Sequence, residues 1–244
     1  MAVERAVLLI ADIGGYTRFM TYHRMNLAHA QDTIARLLES VIDACGRFKL
    51  AKLEGDAAFF WGPVDDKVSD AVAAMRRSFL KQRARLIGDR MCTCDSCMQI
   101  EALKLKFVLH EGDVIRQRVK NNEELAGVDV ILVHRMLKND VPIREYALAS
   151  DVARRYVDAL GAAHEIVHEL EGIGEVTTHY VDLVDLVKEE PPRPPPRGVA
   201  KLFAKIAFEA RSLPYLLGIK EPCKDFASIP APSDRDPTTP SSSS

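Results

Sequence analysis

The sequence predicts an α+β fold with a mostly antiparallel sheet, in the split β-α-β arrangement of ferredoxin-like domains. Three observations carry this prediction. A continuously apolar run near the N-terminus, Ala6 to Asp12, reads as a strand buried on both faces. Two stretches of helical periodicity flank a strand pair that folds about Gly55-Asp56. A further strand signal, Leu103 to His110, completes the order strand, helix, hairpin, helix, strand.

Each element has a local reason. Gly14-Gly15 break the first strand. Leu27, Ala30, Ile34, Leu37, Leu38, Val41 and Ile42 then recur at helical spacing, with Gly46 as the stop signal. Phe48 to Leu53 and Ala57 to Trp61 form the hairpin. Val68, Ala71, Val72, Met75 and Phe79 share one helical face, and Gly88 ends that helix. Leu103 to His110 and Asp113 to Val119 read as a strand pair turning at Glu111-Gly112. A third helix is expected over Val130 to Asn139, a short strand over Tyr146 to Ala149, and a fourth helix over Asp151 to Leu160. Glu165 to Leu170 and Val176 to Leu183 close the domain as a hairpin around Gly172-Ile173-Gly174. There is no internal repeat.

The prolines of 191–196 mark the clearest boundary, since such a run favours an extended polyproline conformation. The expected organisation is a domain over 1–186, a Pro-rich linker over 187–198, an amphipathic helix over 199–218 and a disordered tail over 219–244. On that last helix Val199, Leu202, Phe203, Ile206, Ala210 and Leu213 share one face, and Lys201, Lys205 and Glu209 another. It can dock on its own domain, on another protein, or on an anionic membrane. Glu209 and the modest length favour protein.

A net charge of -2 and the lack of an aromatic-interleaved basic patch argue against a nucleic-acid partner. The apolar N-terminal run is too short to span a bilayer and no cleavage site follows it, so the expected location is cytoplasmic. Five cysteines, three of them in Cys92-x-Cys94-x-x-Cys97, fit a reducing compartment better than a disulfide framework. Three thiolates can contribute to a Zn²⁺ site, but a closed one takes four ligands; redox-sensing thiols and unliganded cysteines are the other readings.

Asp12 ends the buried first strand and Asp56 sits at the hairpin tip. In a split β-α-β sheet the first strand is central, so the two carboxylates can converge at one edge. Such a pair suits Mg²⁺ or Mn²⁺, which take a few carboxylates plus substrate oxygens. Either aspartate alone is equally well a turn residue.

Four motifs occur in order: Ala11-Asp12-Ile13-Gly14-Gly15-Tyr16-Thr17-Arg18-Phe19, Lys52-Leu53-Glu54-Gly55-Asp56, His110-Glu111-Gly112-Asp113-Val114, and Gly127 to Arg135. Together with Gly172-x-Gly174 and Tyr180, this set resembles the class III nucleotidyl cyclases, the adenylate and guanylate cyclase homology domain. The likeness spans about residues 6–186 and is nearest to a divergent bacterial branch. It implies a nucleotidyl cyclase fold with Asp12 and Asp56 as metal-binding aspartates and the Ile13 carbonyl as a further ligand. It implies Lys52 and Glu124 as the purine-reading pair, a donor and an acceptor that suit ATP better than GTP. Arg135 matches the arginine that stabilises the transferring phosphoryl group. The implied reaction converts a purine nucleoside triphosphate to a cyclic monophosphate and pyrophosphate, in a homodimer whose interface joins the metal and base-reading residues. Read without the resemblance, Lys52 is a strand-edge lysine and Arg135 an exposed helix residue pairing with Asp129 or Asp140.

Two positions depart from the pattern. Relatives place asparagine four residues before the arginine, where this chain has Ile131, and loss of one preorganised polar contact costs about 10²–10³ in rate. Relatives also place basic residues in the Gly-x-Gly turn, where this chain has Glu171 and Ile173; Arg116, Arg118 and Lys120 are the candidates to compensate. The sequence therefore leaves open an active cyclase, a degenerate domain that binds nucleotide or dimerises, and a thiol- or zinc-sensing regulator on the same scaffold.

Overall fold

The computed structural model describes residues 3–22, 27–88, 99–120, 122–187 and 206. In chain order the elements are β1 (Val3–Gly14), α1 (Tyr16–Tyr22), α2 (Leu27–Asp43), β2 (Lys49–Glu54), β3 (Ala57–Gly62), α3 (Val68–Gly88), β4 (Lys104–Val119), β5 (Asn122–Ala126), α4 (Val128–Met136), β6 (Tyr146–Ser150), α5 (Arg154–Asp158), β7 (His164–Leu170) and β8 (Gly174–Asp182). The fold is α+β, as the sequence predicts.

The sheet runs β2-β3-β1-β4-β6-β8-β7, with β5 pairing back on β4. Neighbours are antiparallel except β4 and β6. Because β1 is central, its side chains serve two cores. Val7, Leu9, Ala11 and Ile13 enter a layer built with α1, α2, α3 and α5. Ala6, Leu8 and Ile10 face the other way, where Val133 and Met136 of α4 cover them. The unbroken apolar run of β1 follows from this two-sided burial. Each fully buried Leu or Ile contributes about 1.5–3 kcal/mol, an upper estimate because unfolded chains are already partly compact.

One turn falls elsewhere than the sequence suggests. β4 does not reverse at Glu111-Gly112; it runs as one 16-residue strand. β1 pairs with it on both sides of that point, with Ala6 opposite Gly112 and Leu8 opposite His110. Gly112 is required for another reason: a Cβ there would lie 2.2 Å from Cγ of Asp129 on α4. The chain reverses after Val119 instead, where Lys120 takes a positive φ of 57°, and β5 returns along the same strand. The fourth helix is also shorter than expected. A 3₁₀ turn over Asp151–Ala153 precedes five α-helical residues, and an i→i+3 bond from Leu160 N–H to the Val157 carbonyl tightens the exit.

The segment before the proline run is anchored, since Arg76 on α3 donates to the Val187 carbonyl at 2.7 Å. The linker from residue 188 onward, the amphipathic helix apart from Ile206, the tail, and Cys92, Cys94 and Cys97 lie outside the described residues. Among the described residues no helix is long and apolar enough to cross a membrane.

Candidate functional site

Asp12 continues the even-numbered row of β1, so it lies on the α4 side of the sheet. Across the ladder it faces Ala57 of β3, the residue after Asp56. The Ile13 N–H donates to the Asp56 carbonyl at 3.2 Å, which ties the hairpin tip to the end of β1. Gly55, at φ 69°, lets the two-residue connection close.

The two carboxylates interact. Burial pushes the Asp56 carboxyl up, the Asp12 charge raises it further, and together they bring it to about 6 against the opposing pull of Lys106. Lys106 is the residue opposite Asp12 on the other flank, in β4. Its Nζ lies 2.8 Å from Asp12 Oδ2. Burial alone would lower the Lys106 ammonium, but the Asp12 carboxylate, Tyr146 and Asp56 hold it above its ordinary value. Tyr146 completes this corner. Its hydroxyl donates to Asn139 Oδ1 at 2.8 Å, and burial raises it.

The sequence motifs do not single out Lys106. Its signal was present, because Lys104 and Lys106 alternate with apolar residues in a strand that otherwise reads as core. Only the β1–β4 register shows which of the two lysines meets Asp12.

A second group gathers at the last turn of α4. Arg135 Nη1 donates to Glu171 Oε2 at 2.5 Å, rather than pairing with Asp129 or Asp140. The neighbouring His134 bonds through Nδ1 to the Val130 carbonyl at 2.7 Å. Its Nε2 lies 3.2 Å from Glu54 Oε2, and its ring packs edge-on against Phe59. Glu54 also meets Lys52, with Nζ 3.6 Å from Oε1. Adjacent residues of one helix thus reach the β2–β3 hairpin and the β7–β8 turn. Ile131 is 54% exposed, so this aliphatic residue is not there to fill the core. Glu124 is exposed on β5, opposite Gln117.

Asp129 has a different task from the one offered by the sequence. It accepts from His110 Nε2 at 2.9 Å and from the Asp113 N–H at 2.6 Å. The other His110 nitrogen meets Ser150 Oγ at 2.7 Å. With His110 and Ser150 both buried, this chain of polar groups pins α4 to β4 and β6.

Among the described residues no group of three or more His, Cys, Asp or Glu side chains could hold a metal ion. The Asp12–Asp56 pair is therefore no self-sufficient cage. It fits a cation that completes its shell with backbone, water and ligand oxygens, as Mg²⁺ does.

A protein of Mycobacterium tuberculosis (strain ATCC 25618 / H37Rv), "Uncharacterized protein Rv2561/Rv2562", is 49% identical over 202 residues, 80% of this chain and 94% of the relative. This chain belongs to the family of that protein. The family model "Protein of unknown function (DUF2652)" matches residues 34–146, which include Lys52, Asp56, Lys106 and Arg135. Solved structures give the fold. The guanylate cyclase domain of RhGC from Catenaria anguillulae, solved with GTP, is similar with a TM-score of 0.55 at 16% identity, over 74% of this chain and 98% of that one. The adenylyl cyclase CyaB from P. aeruginosa is similar with a TM-score of 0.56 at 15% identity, over 78% and 100%. At such identities the likeness establishes a cyclase-like fold and no activity.

Proposed function

We propose that the domain binds a divalent cation, Mg²⁺ or Mn²⁺, together with a purine nucleoside triphosphate, at the edge formed by β1 and the β2–β3 hairpin. The observation that carries this reading is the Asp12–Asp56 pair: two carboxylates at one edge, close enough for the Asp12 charge to raise Asp56, with Lys106 paired to Asp12 from the opposite flank. Asp12, Asp56 and the Ile13 carbonyl would hold the ion. A bound ion of this kind neutralises phosphate oxygens and activates an attacking hydroxyl oxygen. Lys106, released from Asp12 as positive charge enters the site, then has its ammonium free for a phosphate oxygen. Lys52 and Glu124 would read the base from the partner subunit of a homodimer, with ATP preferred, and Arg135 would meet the phosphoryl group once it parts from Glu171. The setting that suits this substrate is the cytoplasm.

A second reading shares the binding step and omits turnover. Two observations favour it: Ile131 offers no hydrogen bond where the resemblance expects an asparagine, and Arg135 is engaged by a carboxylate. In this form the domain signals by occupancy, with formation of cyclic AMP lost.

Titration calorimetry with ATP, with and without Mn²⁺, tests the common step in wild type and Asp56→Ala. Mn²⁺-dependent ATP binding, weakened at least about tenfold in the variant, is the expected result. Equal ATP affinity with and without Mn²⁺ overturns the proposal. Assay of the same samples for cyclic AMP then separates the two readings.

A further inference from the structure

We propose that Glu171 is a built-in competitor for the anion that Arg135 receives, so that this one carboxylate sets how strongly the site takes a polyphosphate. Naming that anion as the triphosphate of a nucleotide rests on the function proposed above; the competition itself rests on the Arg135–Glu171 contact.

The geometry suits exchange. Arg135 closes the last turn of α4, and its guanidinium donates to Glu171 Oε2 at 2.5 Å. Glu171 is 80% exposed and Arg135 35% exposed, so ligand can reach both. The turn that carries the acid is fixed: the Ile173 N–H donates to the Leu170 carbonyl at 3.0 Å, and Gly172 and Gly174 take φ of 77° and 94°. What moves is the Glu171 side chain. A guanidinium binds carboxylates and phosphates through the same donors. Glu171 engages one of them, Nη1, and so supplies there the negative charge that a phosphate would. Exposed ion pairs of this kind are weak, and a tripolyphosphate carries several times the charge of one carboxylate. The pair opens for such a ligand and lowers its affinity without blocking it.

The test uses the full chain and inorganic tripolyphosphate in EDTA at low salt, which removes any dependence on the metal site. Wild type, Glu171→Gln, Arg135→Ala and the double variant are compared by calorimetry. Glu169→Gln and Glu175→Gln serve as controls, because they take the same charge from exposed positions of the same hairpin. Glu171→Gln is expected to tighten tripolyphosphate binding about fivefold, with the controls changing it less than twofold. The gain should vanish in the Arg135→Ala background and shrink as salt is raised. An unchanged affinity in Glu171→Gln overturns the competition, as does an equal gain in the controls or a gain that survives without Arg135. A parallel titration with ATP and Mn²⁺ reports on the proposed function separately, since its failure shows as a missing Mn²⁺ increment and leaves the tripolyphosphate comparison intact.

Discussion

Lys106 Nζ stands 2.8 Å from Asp12 Oδ2, straight across the β1–β4 ladder. A strand position that would otherwise belong to the core thus delivers a cation to the carboxylate pair. This lysine is a counter-ion to both Asp12 and Asp56.

Lys106→Met should strengthen binding of Mn²⁺ alone. A unit charge about 4 Å away opposes a cation by at least 1 kcal/mol even at the dielectric of water, which is about fivefold in affinity. Electron paramagnetic resonance of free Mn²⁺ would measure it. The metal-free variant should also be less stable, because the two carboxylates lose their shared partner.

Asp56 gives a pH dependence of unusual sign for a carboxylate. Its folded value of about 6 lies above the ordinary 3.8, so the folded state favours the protonated acid. The stabilisation is complete below about pH 4 and is lost as pH rises through 6. With metal chelated, Asp56→Asn should melt higher than wild type at pH 7.5, and the gap should close by about pH 4. Thermal denaturation across that range in EDTA checks it; a variant less stable at neutral pH contradicts the raised value.

Glu111 should behave in the opposite way. Burial would raise its carboxyl, but hydrogen bonds from Arg5 and Arg155 outweigh that and hold it below the ordinary 4.5. Arg5 Nε donates at 2.9 Å, Arg155 contacts the other oxygen, and the Tyr156 hydroxyl lies 3.2 Å away. The stability this adds is present above the unfolded value and disappears as pH falls through the folded one. Glu111→Gln should cost about 1.5–3 kcal/mol near pH 7, with the difference from wild type narrowing towards pH 3. Urea denaturation at several pH values would show it.

Gly112→Ala tests the close approach of α4. The added Cβ would meet the Asp129 carboxyl at 2.2 Å, and forced overpacking of this kind costs about 1–3 kcal/mol. Asp129→Gly in the same chain should recover part of the loss, since it removes every Asp129 side-chain atom the new Cβ would meet, its Cβ at 2.5 Å included. Chemical denaturation of the two single variants and the double variant gives the coupling; additive effects would contradict the packing account.

Much of the fold was legible in the order of residues. β1, α2, the β2–β3 hairpin and α3 sit where continuous apolar runs, helical spacing and Gly55-Asp56 place them, because these signals are local and each element satisfies its backbone nearby. Gly112 misled for an equally physical reason. A glycine in a strand can mark a turn or a close approach, and the two look identical until the covering element is known.

The residues alone determined that Asp12 lies near the end of a buried strand, which runs on to Gly14, and that Asp56 tips a hairpin, since both follow from apolar runs and turn chemistry within a few positions. Tertiary structure decided the company they keep. Lys106 reaches Asp12 through strand register, and Glu171 reaches Arg135 across the α4 side of the sheet. Both pairings join side chains far apart in the sequence, and ion pairing depends on distance in space, which no local pattern of residues encodes.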